Sequence, residues 1–294
     1  MRRIWILLAC LLLVMGSMAM SVSAATTRSA ASLIRTMDTR PLRIRYTQKE
    51  KKEIIQEQKE VAQSLQQEGS LSEMDPEEMD QLVKEVLTEE YEDAADLVEE
   101  KIEDSADNPS CGIDSNLPEK TYDLDDQTSV TFRENLVQID ILEEEPETRP
   151  SRGRKALIGK LARLVAEPCY AASDEKSKKA SCKTIIYDAH TGWKCFTVYV
   201  KARFTYSKSA RTCTVSTLSH YAKKSSPATI FSSVHDTEYT VEKPSKKSRT
   251  CRQSGYIRTG VTIKGVGLVT SDYYACAALT CNYKGKITKD RCTA

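Results

Sequence analysis

The chain has 294 residues, enough for two small domains, but aromatic residues make up only 6% of it, which excludes a large hydrophobic core. Its formal charge of +1 hides a division: residues 25–148 hold 33 acidic and 13 basic side chains, whereas residues 149–294 hold 9 and 28. The resulting charges of −20 and +19 indicate charged partners, and no stretch after residue 24 is apolar enough to span a bilayer.

The first 24 residues have the pattern of a secretory signal peptide. Arg2 and Arg3 precede the apolar run Ile4–Val14, and Val22-Ser23-Ala24 offers small residues at a cleavage site. The apolar run is shorter than the roughly 20 residues of a membrane-spanning helix. We therefore expect the mature protein to be secreted or extracellular at the cell surface. An uncleaved anchor and lipidation at Cys10 are the alternatives.

An acidic helical region is predicted over residues 47–104, after a mobile leader at 25–46. Residues 48–67 place apolar side chains on one side of a helix. The stretch Asp75-Pro76-Glu77-Glu78 is a helix start signal, and apolar residues then recur at helical spacing as far as Ile102. These patterns predict two helices that pair as a hairpin.

Two connecting segments are predicted between the helical region and the C-terminal part. Residues 105–142 indicate a linker, which carries Cys111, followed by a short β hairpin in which apolar residues alternate from Val130 to Ile141. Residues 143–180 are a basic linker, in which Pro, Gly and Ser mark a protease-accessible stretch. Leu157 to Val165 predicts a short amphipathic helix there, either on a membrane surface or packed on its neighbour.

An all-β domain is predicted over residues 181–294. Its clearest element is the run Lys194–Tyr206, in which apolar and polar side chains alternate strictly, so that one face lies in a core and the other in water. The turn Ala189–Gly192 places Cys195 opposite Ile186 in the hairpin that it closes. Several short strands follow without a helix between them. The fold class is therefore α+β, with an N-terminal acidic helical hairpin and a C-terminal antiparallel β-sandwich or barrel-like domain.

Cysteine is concentrated in the basic half of the chain. Because export is expected, we expect these cysteines to form disulfides that staple the β domain, in a pairing that their spacing does not fix. A zinc site is disfavoured. Cys276 and Cys281 lie close in sequence, but no second close pair of cysteines accompanies them. The candidate disulfide cysteines are Cys169, Cys182, Cys195, Cys213, Cys251, Cys276, Cys281 and Cys292.

Basic side chains on the predicted strands form a candidate anion-binding face. They lie on strands or at strand edges with tyrosines nearby, an arrangement that suits a polyanion. A solvated outer face with lysines guarding the sheet edges is the alternative. The candidate residues are Lys201, Arg203, Arg252, Arg258 and Lys264.

The sequence contains none of the common catalytic motifs. Gly-x-Ser-x-Gly, His-Glu-x-x-His and a phosphate-binding glycine loop are all absent. A nucleophilic pair of Cys195 with His190 or His220 stays open, although cystine is favoured. We therefore expect a protein that is not an enzyme, with no catalytic residues, cofactor or metal site, and with no specific nucleic acid partner.

Four short motifs follow one another in a fixed order. They are Tyr122-Asp123-Leu124, Phe204-Thr205-Tyr206, Cys213 and Leu279-Thr280-Cys281-Asn282. In this order the chain resembles a loose group of uncharacterised exported proteins of Gram-positive, clostridia-type bacteria, although its basic charge and its many cysteines depart from their pattern. The resemblance implies export, an all-β C-terminal domain and no catalysis.

Two functional hypotheses follow. The first is an exported binding protein whose basic β domain contacts an anionic cell-envelope polymer or a membrane surface. In it the acidic and basic halves associate diffusely within one chain, because single exposed ion pairs contribute only about 0–1 kcal/mol. The alternative is a proprotein, in which the acidic half masks a cationic effector until cleavage near residues 149–155.

Overall fold

A computed structural model describes residues 41–105, 112–148, 174–225, 233–263 and 267–290. These residues form three helices and sheets of mostly antiparallel strands, so the predicted α+β class with a β-rich C-terminal region is confirmed. The predicted signal peptide, most of the leader, Cys111 and the predicted amphipathic helix lie outside the described residues.

Three helices form where the sequence pattern predicts two. They are α1 (Gln48–Gln67), α2 (Pro76–Glu90) and α3 (Glu92–Ser105). Helix α1 begins at a reciprocal capping box between Thr47 and Glu50, and helix α2 begins at Asp75, whose carboxylate accepts from the Glu77 backbone N–H. Both helices therefore begin at the start signals in the sequence. The observed helices differ from the prediction in the middle of the second predicted helix, which is divided in two.

Tyr91 separates α2 from α3. Its ring is fully buried, and its hydroxyl accepts a hydrogen bond from Gln58 of α1 (3.3 Å). Glu57, also on α1, accepts a hydrogen bond from the backbone N–H of Ala94 (2.8 Å) in the first turn of α3. A carboxylate at this position satisfies a donor that a helix start leaves without a partner, so contacts with α1 favour the break.

The strands pair in chain order as a meander. They are β1 (Leu42–Ile44), β2 (Ile113–Ser115), β3 (Lys120–Asp123), β4 (Thr128–Arg133), β5 (Leu136–Thr148), β6 (Lys176–Asp188), β7 (Lys194–Ser207), β8 (Thr212–Lys224), β9 (Ser233–Ser245), β10 (Ser248–Ile263), β11 (Gly267–Asn282) and β12 (Ile287–Lys289). Strands β1 and β2 form a parallel pair, β3 to β8 form a six-stranded antiparallel sheet, and β9 to β12 form a four-stranded antiparallel sheet.

The two large sheets pack face to face around a shared core. The side of each sheet that points to the other is called its inner face here. On β7, alternate residues from Phe196 to Phe204 point inward and are buried against Ile257 of β10 and Leu279 of β11. The alternation predicted for this strand is therefore present, with its apolar side between the sheets.

A second core lies on the outer face of the six-stranded sheet. Helices α1 to α3 cover strands β3 to β6 there, and Val61 and Leu87 of the helices share one buried cluster with Phe132, Ile139 and Tyr187 of the strands. None of the described residues of β7 or β8 belongs to this cluster. Among the described residues, helices therefore cover one part of the outer face and do not cover the rest.

The turn between β6 and β7 packs directly on α2. Gly192 has φ +64°, and a Cβ at this position would lie 2.8 Å from Cα of Lys84, so both the backbone and the close approach require glycine. The Tyr187 hydroxyl donates a hydrogen bond to Asp80 of α2 (2.7 Å), which also pairs with Lys194. These contacts fix the helices at the edge of the uncovered part.

The acidic and basic halves share one sheet. Strand β5 belongs to the acidic half and β6 to the basic half, and they pair from Leu136 opposite Asp188 to Thr148 opposite Ser177. The short β hairpin predicted within 105–142 is present as β4 and the first part of β5. The predicted basic linker at 143–180 also supplies strand residues at its described ends, so β structure is present before residue 181. The start of β6 is polar in sequence, but it forms a strand because β5 and β7 provide hydrogen-bonding partners on both sides.

Candidate anion-binding face and inter-sheet cleft

The structure separates the basic residues that were predicted to share one face. Lys201 and Arg203 lie on the outer face of β7, whereas Arg252 and Arg258 lie on β10, on the side that points away from the inter-sheet core. The two pairs occupy opposite sides of the packed sheets, so the predicted single face is wrong, and Lys264 lies outside the described residues. Alternation fixes which side chains share a face within one strand, but not which sheet the strand joins.

Carboxylates pair with both arginines on the four-stranded sheet. Arg258 donates two hydrogen bonds to Asp272 (2.7 Å each), and its guanidinium holds the pKa of that carboxyl below the usual value. Arg252 lies 3.4 Å from Glu242 and 3.9 Å from Asp290. The protein's own acids therefore offset these positive charges, which disfavours an anion site on this side.

Basic and aromatic side chains remain together on the uncovered outer face of β6 to β8, which we call the open face. Its members are Lys183, Tyr199, Lys201, Arg203, Tyr221 and Lys223. In the register of the sheet, Tyr199 lies between Lys183 on β6 and Tyr221 on β8. Arg203 and Lys223 are exposed to solvent, so the face is accessible to a large ligand.

The rings of the two tyrosines of the open face stack on each other. The ring centroids of Tyr199 and Tyr221 are 5.0 Å apart and their planes differ by 23°. The Lys223 ammonium lies 4.8 Å from the centroid of Tyr221. Aromatic rings beside cations can contact the apolar faces and the charged groups of an anionic polymer at the same time.

At one margin of the open face, a carboxylate partly neutralises the positive charge of the lysines. Glu145 of β5 lies 2.8 Å from the ammonium of Lys179 and 2.7 Å from that of Lys201, and these contacts lower the pKa of its carboxyl to about 2. Further into the face, Lys183 and Arg203 form no ion pair with a described carboxylate. Burial lowers the pKa of Lys183, and the nearby Lys194 ammonium adds to the effect.

A polar cleft of about 220 Å³ lies between the two sheets, beside the inter-sheet core. It forms because the inner faces of β4 and β5 carry polar side chains, among them Ser129, Thr131, Gln138 and Asp140. Lys289 of β12 reaches into it from the four-stranded sheet and donates hydrogen bonds to Ser129 Oγ (2.8 Å) and to the carbonyl oxygen of Asp140 (3.2 Å). The cleft is thus bridged by hydrogen bonds between the sheets.

The acidic groups of the cleft are paired with the protein's own donors. Asp140 accepts hydrogen bonds from Thr184 Oγ1 (2.6 Å) and Gln138 Nε2 (2.8 Å), yet burial raises the pKa of its carboxyl. Arg133 donates to the carbonyl oxygen of Tyr274 and to Glu119 Oε1 (3.2 Å each). These groups satisfy one another, so we interpret the cleft as a structural polar network that joins the sheets.

The predicted disulfides are not present at five of the eight candidate cysteines. Free thiols are present at Cys182, Cys195, Cys213, Cys251 and Cys281. All five are buried. Strand alternation points four of them into the inter-sheet core, and the bulge at the start of β7 brings Cys195 there beside Phe196; a buried thiol packs as a small hydrophobic group.

The other three candidate cysteines give no described disulfide pair. Cys276 is disulfide-bonded, but its partner is none of the other described cysteines. Cys169 and Cys292 lie outside the described residues. No disulfide therefore joins two described cysteines.

The sequence leaves open a nucleophilic pair of Cys195 with His190 or His220. In the structure each of these three side chains contacts a different group. The Cys195 thiol donates to the carbonyl oxygen of Trp193 (3.4 Å). His190 faces Asp96 and Glu99 of α3, at 3.3 and 3.5 Å. His220 Nδ1 lies 2.8 Å from the Gln253 side-chain oxygen. Neither imidazole is positioned to take the proton of the Cys195 thiol.

The described residues present neither a metal-binding cluster nor a membrane-spanning helix. They contain no group of three or more His, Cys, Asp or Glu side chains that suits a metal ion. Likewise, no helix within the described ranges combines the length and the apolar character that a membrane span needs.

Comparison with known proteins identifies no relative of this chain. No protein-family model matches the chain, and neither the curated proteins nor the solved structures contain a match.

The sequence pattern missed half of the open face and the whole cleft. Lys183 and Tyr221 could be found by aligning β6 and β8 on β7, since each lies directly opposite Tyr199. For the cleft, the signal is that Ser129 and Asp140 alternate with strongly apolar residues on two paired strands. That pattern predicts a polar side but does not reveal that a second sheet covers it.

Proposed function

We propose that this chain is an exported, non-enzymatic binding protein that holds an anionic cell-envelope polymer on its open face. The observation that carries the proposal is the row of Lys183, Tyr199 and Tyr221 across three strands, with three further cations around it. The three described helices leave this surface uncovered, and the charges at its centre have no described carboxylate partner. An extended anionic chain laid on it contacts rings and ammonium groups together.

The scaffold under this surface supports a rigid, flat site. We interpret the two packed sheets as a β-sandwich, in which β7 contributes its apolar side to the inter-sheet core and its polar side to the open face. Side chains held on paired strands keep their spacing without a ligand. Binding therefore orders few side chains, and the interaction is expected to be electrostatic and sensitive to salt.

The alternative, release of a cationic effector by cleavage near 149–155, is less well supported. The ladder between β5 and β6 crosses the proposed cleavage point, from Leu136 opposite Asp188 to Thr148 opposite Ser177. Tyr187 and Ala189 of the basic half are buried in the cluster that the helices form. Cleavage alone would leave these contacts in place, so the two halves are expected to stay together.

Binding to heparin, used as a soluble anionic polysaccharide, tests the proposal. The mature chain is compared with the double variant Arg203→Gln/Lys223→Gln and with Lys246→Gln/Lys247→Gln. The control pair consists of exposed lysines at the turn of the four-stranded sheet, so it makes the same change in net charge outside the open face. Elution salt and the dependence of the dissociation constant on salt are measured for all three.

The open-face variant should elute at lower salt, and the slope of log K against log salt should fall by about 2, as expected when two counter-ion-releasing contacts are lost. The control variant should behave as the wild type. Equal losses in the two variants would show that net charge alone drives binding and would overturn the assigned face. Binding to anionic phospholipid vesicles without binding to heparin would replace the polymer by a membrane surface.

A further inference from the structure

Cys213 and Cys281 meet at one corner between the two sheets. Cys213 is near the start of β8 in the six-stranded sheet, and Cys281 is near the end of β11 in the four-stranded sheet. Both belong to the inter-sheet core and are buried, with 1% and 0% exposure. They are separated in sequence by strands β9 and β10, so their approach is a product of the fold.

The backbone holds both cysteines against the same turn. The Cys213 N–H donates a hydrogen bond to the Lys246 carbonyl oxygen (3.0 Å), and the Tyr283 N–H donates to the Lys247 carbonyl oxygen (2.7 Å). Lys246 and Lys247 form the turn between β9 and β10, so the start of β8 and the end of β11 are anchored to adjacent residues. The two strand ends therefore lie side by side at this corner.

The two thiols interact, and their chemistry is unequal. This interaction lowers the pKa of Cys213 and raises that of Cys281, while the Cys281 thiol donates its hydrogen bond to the Asn282 carbonyl oxygen (3.5 Å). The Arg249 guanidinium lowers the pKa of Cys213 further. By contrast, burial raises the pKa of Cys182 and of Cys251 to about 12. Thiolate is the reactive form, so Cys213 is the better nucleophile.

We propose that Cys213 and Cys281 are a disulfide-forming pair, and that a small-molecule disulfide such as oxidised glutathione is the co-substrate that converts it. The Cys213 thiolate attacks one sulfur of the co-substrate, forms a mixed disulfide and releases one glutathione thiolate. Cys281 then loses its proton and attacks the Cys213 sulfur, which releases the second thiolate. Two protein thiols lose two electrons and two protons, and one glutathione disulfide becomes two thiols.

The product links the two sheets covalently. The closed loop runs from residue 213 to residue 281 and contains most of β8, all of β9 and β10 and most of β11. Such a link restricts the unfolded chain and secures the edge strand β8 to the four-stranded sheet. In an oxidising compartment, which the predicted export supplies, we expect the bonded form to predominate.

The test refolds the urea-unfolded, reduced mature chain in a glutathione redox buffer, so that burial does not limit access to the thiols. Remaining thiols are blocked with iodoacetamide, and peptides are mapped without reduction. The variants are Cys213→Ser, Cys281→Ser and, as a matched control, Cys195→Ser, which removes a buried thiol whose hydrogen bond goes to the Trp193 carbonyl oxygen.

In the wild type and in the control variant, a peptide joining Cys213 to Cys281 is expected, together with a higher urea midpoint in the oxidised than in the reduced protein. Cys281→Ser should instead trap Cys213 as its glutathione mixed disulfide. Both cysteines found alkylated in folded wild type would overturn the proposal, and so would a bridge from either one to a different cysteine. A failure here leaves the heparin result unaffected, because the open face contains neither residue.

Discussion

The outer face of the six-stranded sheet has two parts that are built alike and covered differently. Both consist of every second residue of paired antiparallel strands. The part on β3 to β6 presents Phe132, Ile139 and Tyr187, and three helices bury it. The open face presents Tyr199 and Arg203 instead, and solvent reaches it. The side chains, and not the strand geometry, therefore decide which part of one continuous surface becomes a core and which becomes a binding surface.

The buried apolar side of the six-stranded sheet changes from the outer face on β4 and β5 to the inner face on β7. On β4 and on β5 from Val137 to Ile141 the apolar residues are on the outer face, under the helices, and polar residues such as Asp140 point inward. On β7 the apolar residues, such as Val198, point inward. Strand β6 lies between these arrangements and is buried on both faces, with Ile185 outward and Ile186 inward. This strand joins the two cores into one structure.

The largest expected difference between the two parts is in stability. Phe132→Ala should lower the free energy of unfolding by about 3–5 kcal/mol, because the ring is fully buried and lies 5.3 Å from the ring of Tyr91 and 6.0 Å from that of Tyr122. Tyr199→Ala should cost less than about 1 kcal/mol, because it removes one partly exposed cross-strand ring pair. Urea unfolding followed by circular dichroism measures both.

Equal losses for the two variants would contradict the division of the outer face. A large loss for Tyr199→Ala would mean that another part of the protein covers the open face, and would also weaken the proposed binding site. The ratio of the two values is the informative quantity, because errors in extrapolation to zero urea affect both in the same way.

A smaller effect is expected at the border between the two parts. Asp80 accepts a hydrogen bond from the buried Tyr187 hydroxyl (2.7 Å) and pairs with Lys194. Asp80→Leu should lower the free energy of unfolding by about 1–3 kcal/mol, because two polar groups lose their partner. Asp80→Asn keeps an acceptor oxygen for Tyr187 and should cost less. If both variants unfold at the wild-type urea midpoint, this contact does not hold α2 on the sheet.

Much of the fold could be predicted from local patterns. The capped helix start at Asp75 and the alternation from Phe196 to Phe204 depend on neighbours in sequence, and both are present. The break at Tyr91 could not be predicted this way, because it depends on Gln58 and Glu57 of another helix. Local propensity favours a continuous helix there, and tertiary hydrogen bonds override it.

The candidate site was less predictable for a related reason. The turn Ala189–Gly192 forms as expected, but a bulge places Phe196, and not Cys195, opposite Ile186. A shift of one residue changes which side chains are neighbours across strands. Likewise, Arg252 has the composition of a binding residue but belongs to the other sheet. Membership of a face is a property of strand order and register, which single-strand alternation does not contain.

The smallest expected effect concerns the acidic margin of the open face. Glu145→Gln releases the ammonium groups of Lys179 and Lys201 from their carboxylate, so it should raise the salt concentration at which heparin releases the protein at neutral pH. Glu144→Gln is the matched control, since this adjacent residue points to the opposite face of the sheet and pairs with Lys178. Equal shifts in both variants would indicate a response to net charge, and no shift in either would place the polymer elsewhere.

The same variant gives a pH test with a fixed sign. The pKa of Glu145 is lowered from 4.5 to about 2, chiefly by the hydrogen bond from Lys179, so the folded state favours its ionised form. A depressed folded-state pKa adds stability above the unfolded value, and this stability is lost as the pH falls through the folded value. The difference in thermal midpoint between wild type and Glu145→Gln should therefore be constant above about pH 5 and shrink towards about pH 2. Because the carboxylate is exposed, the difference should also be small and should decrease in high salt. A midpoint difference that grows on acidification would show that Glu145 is not held by these lysines.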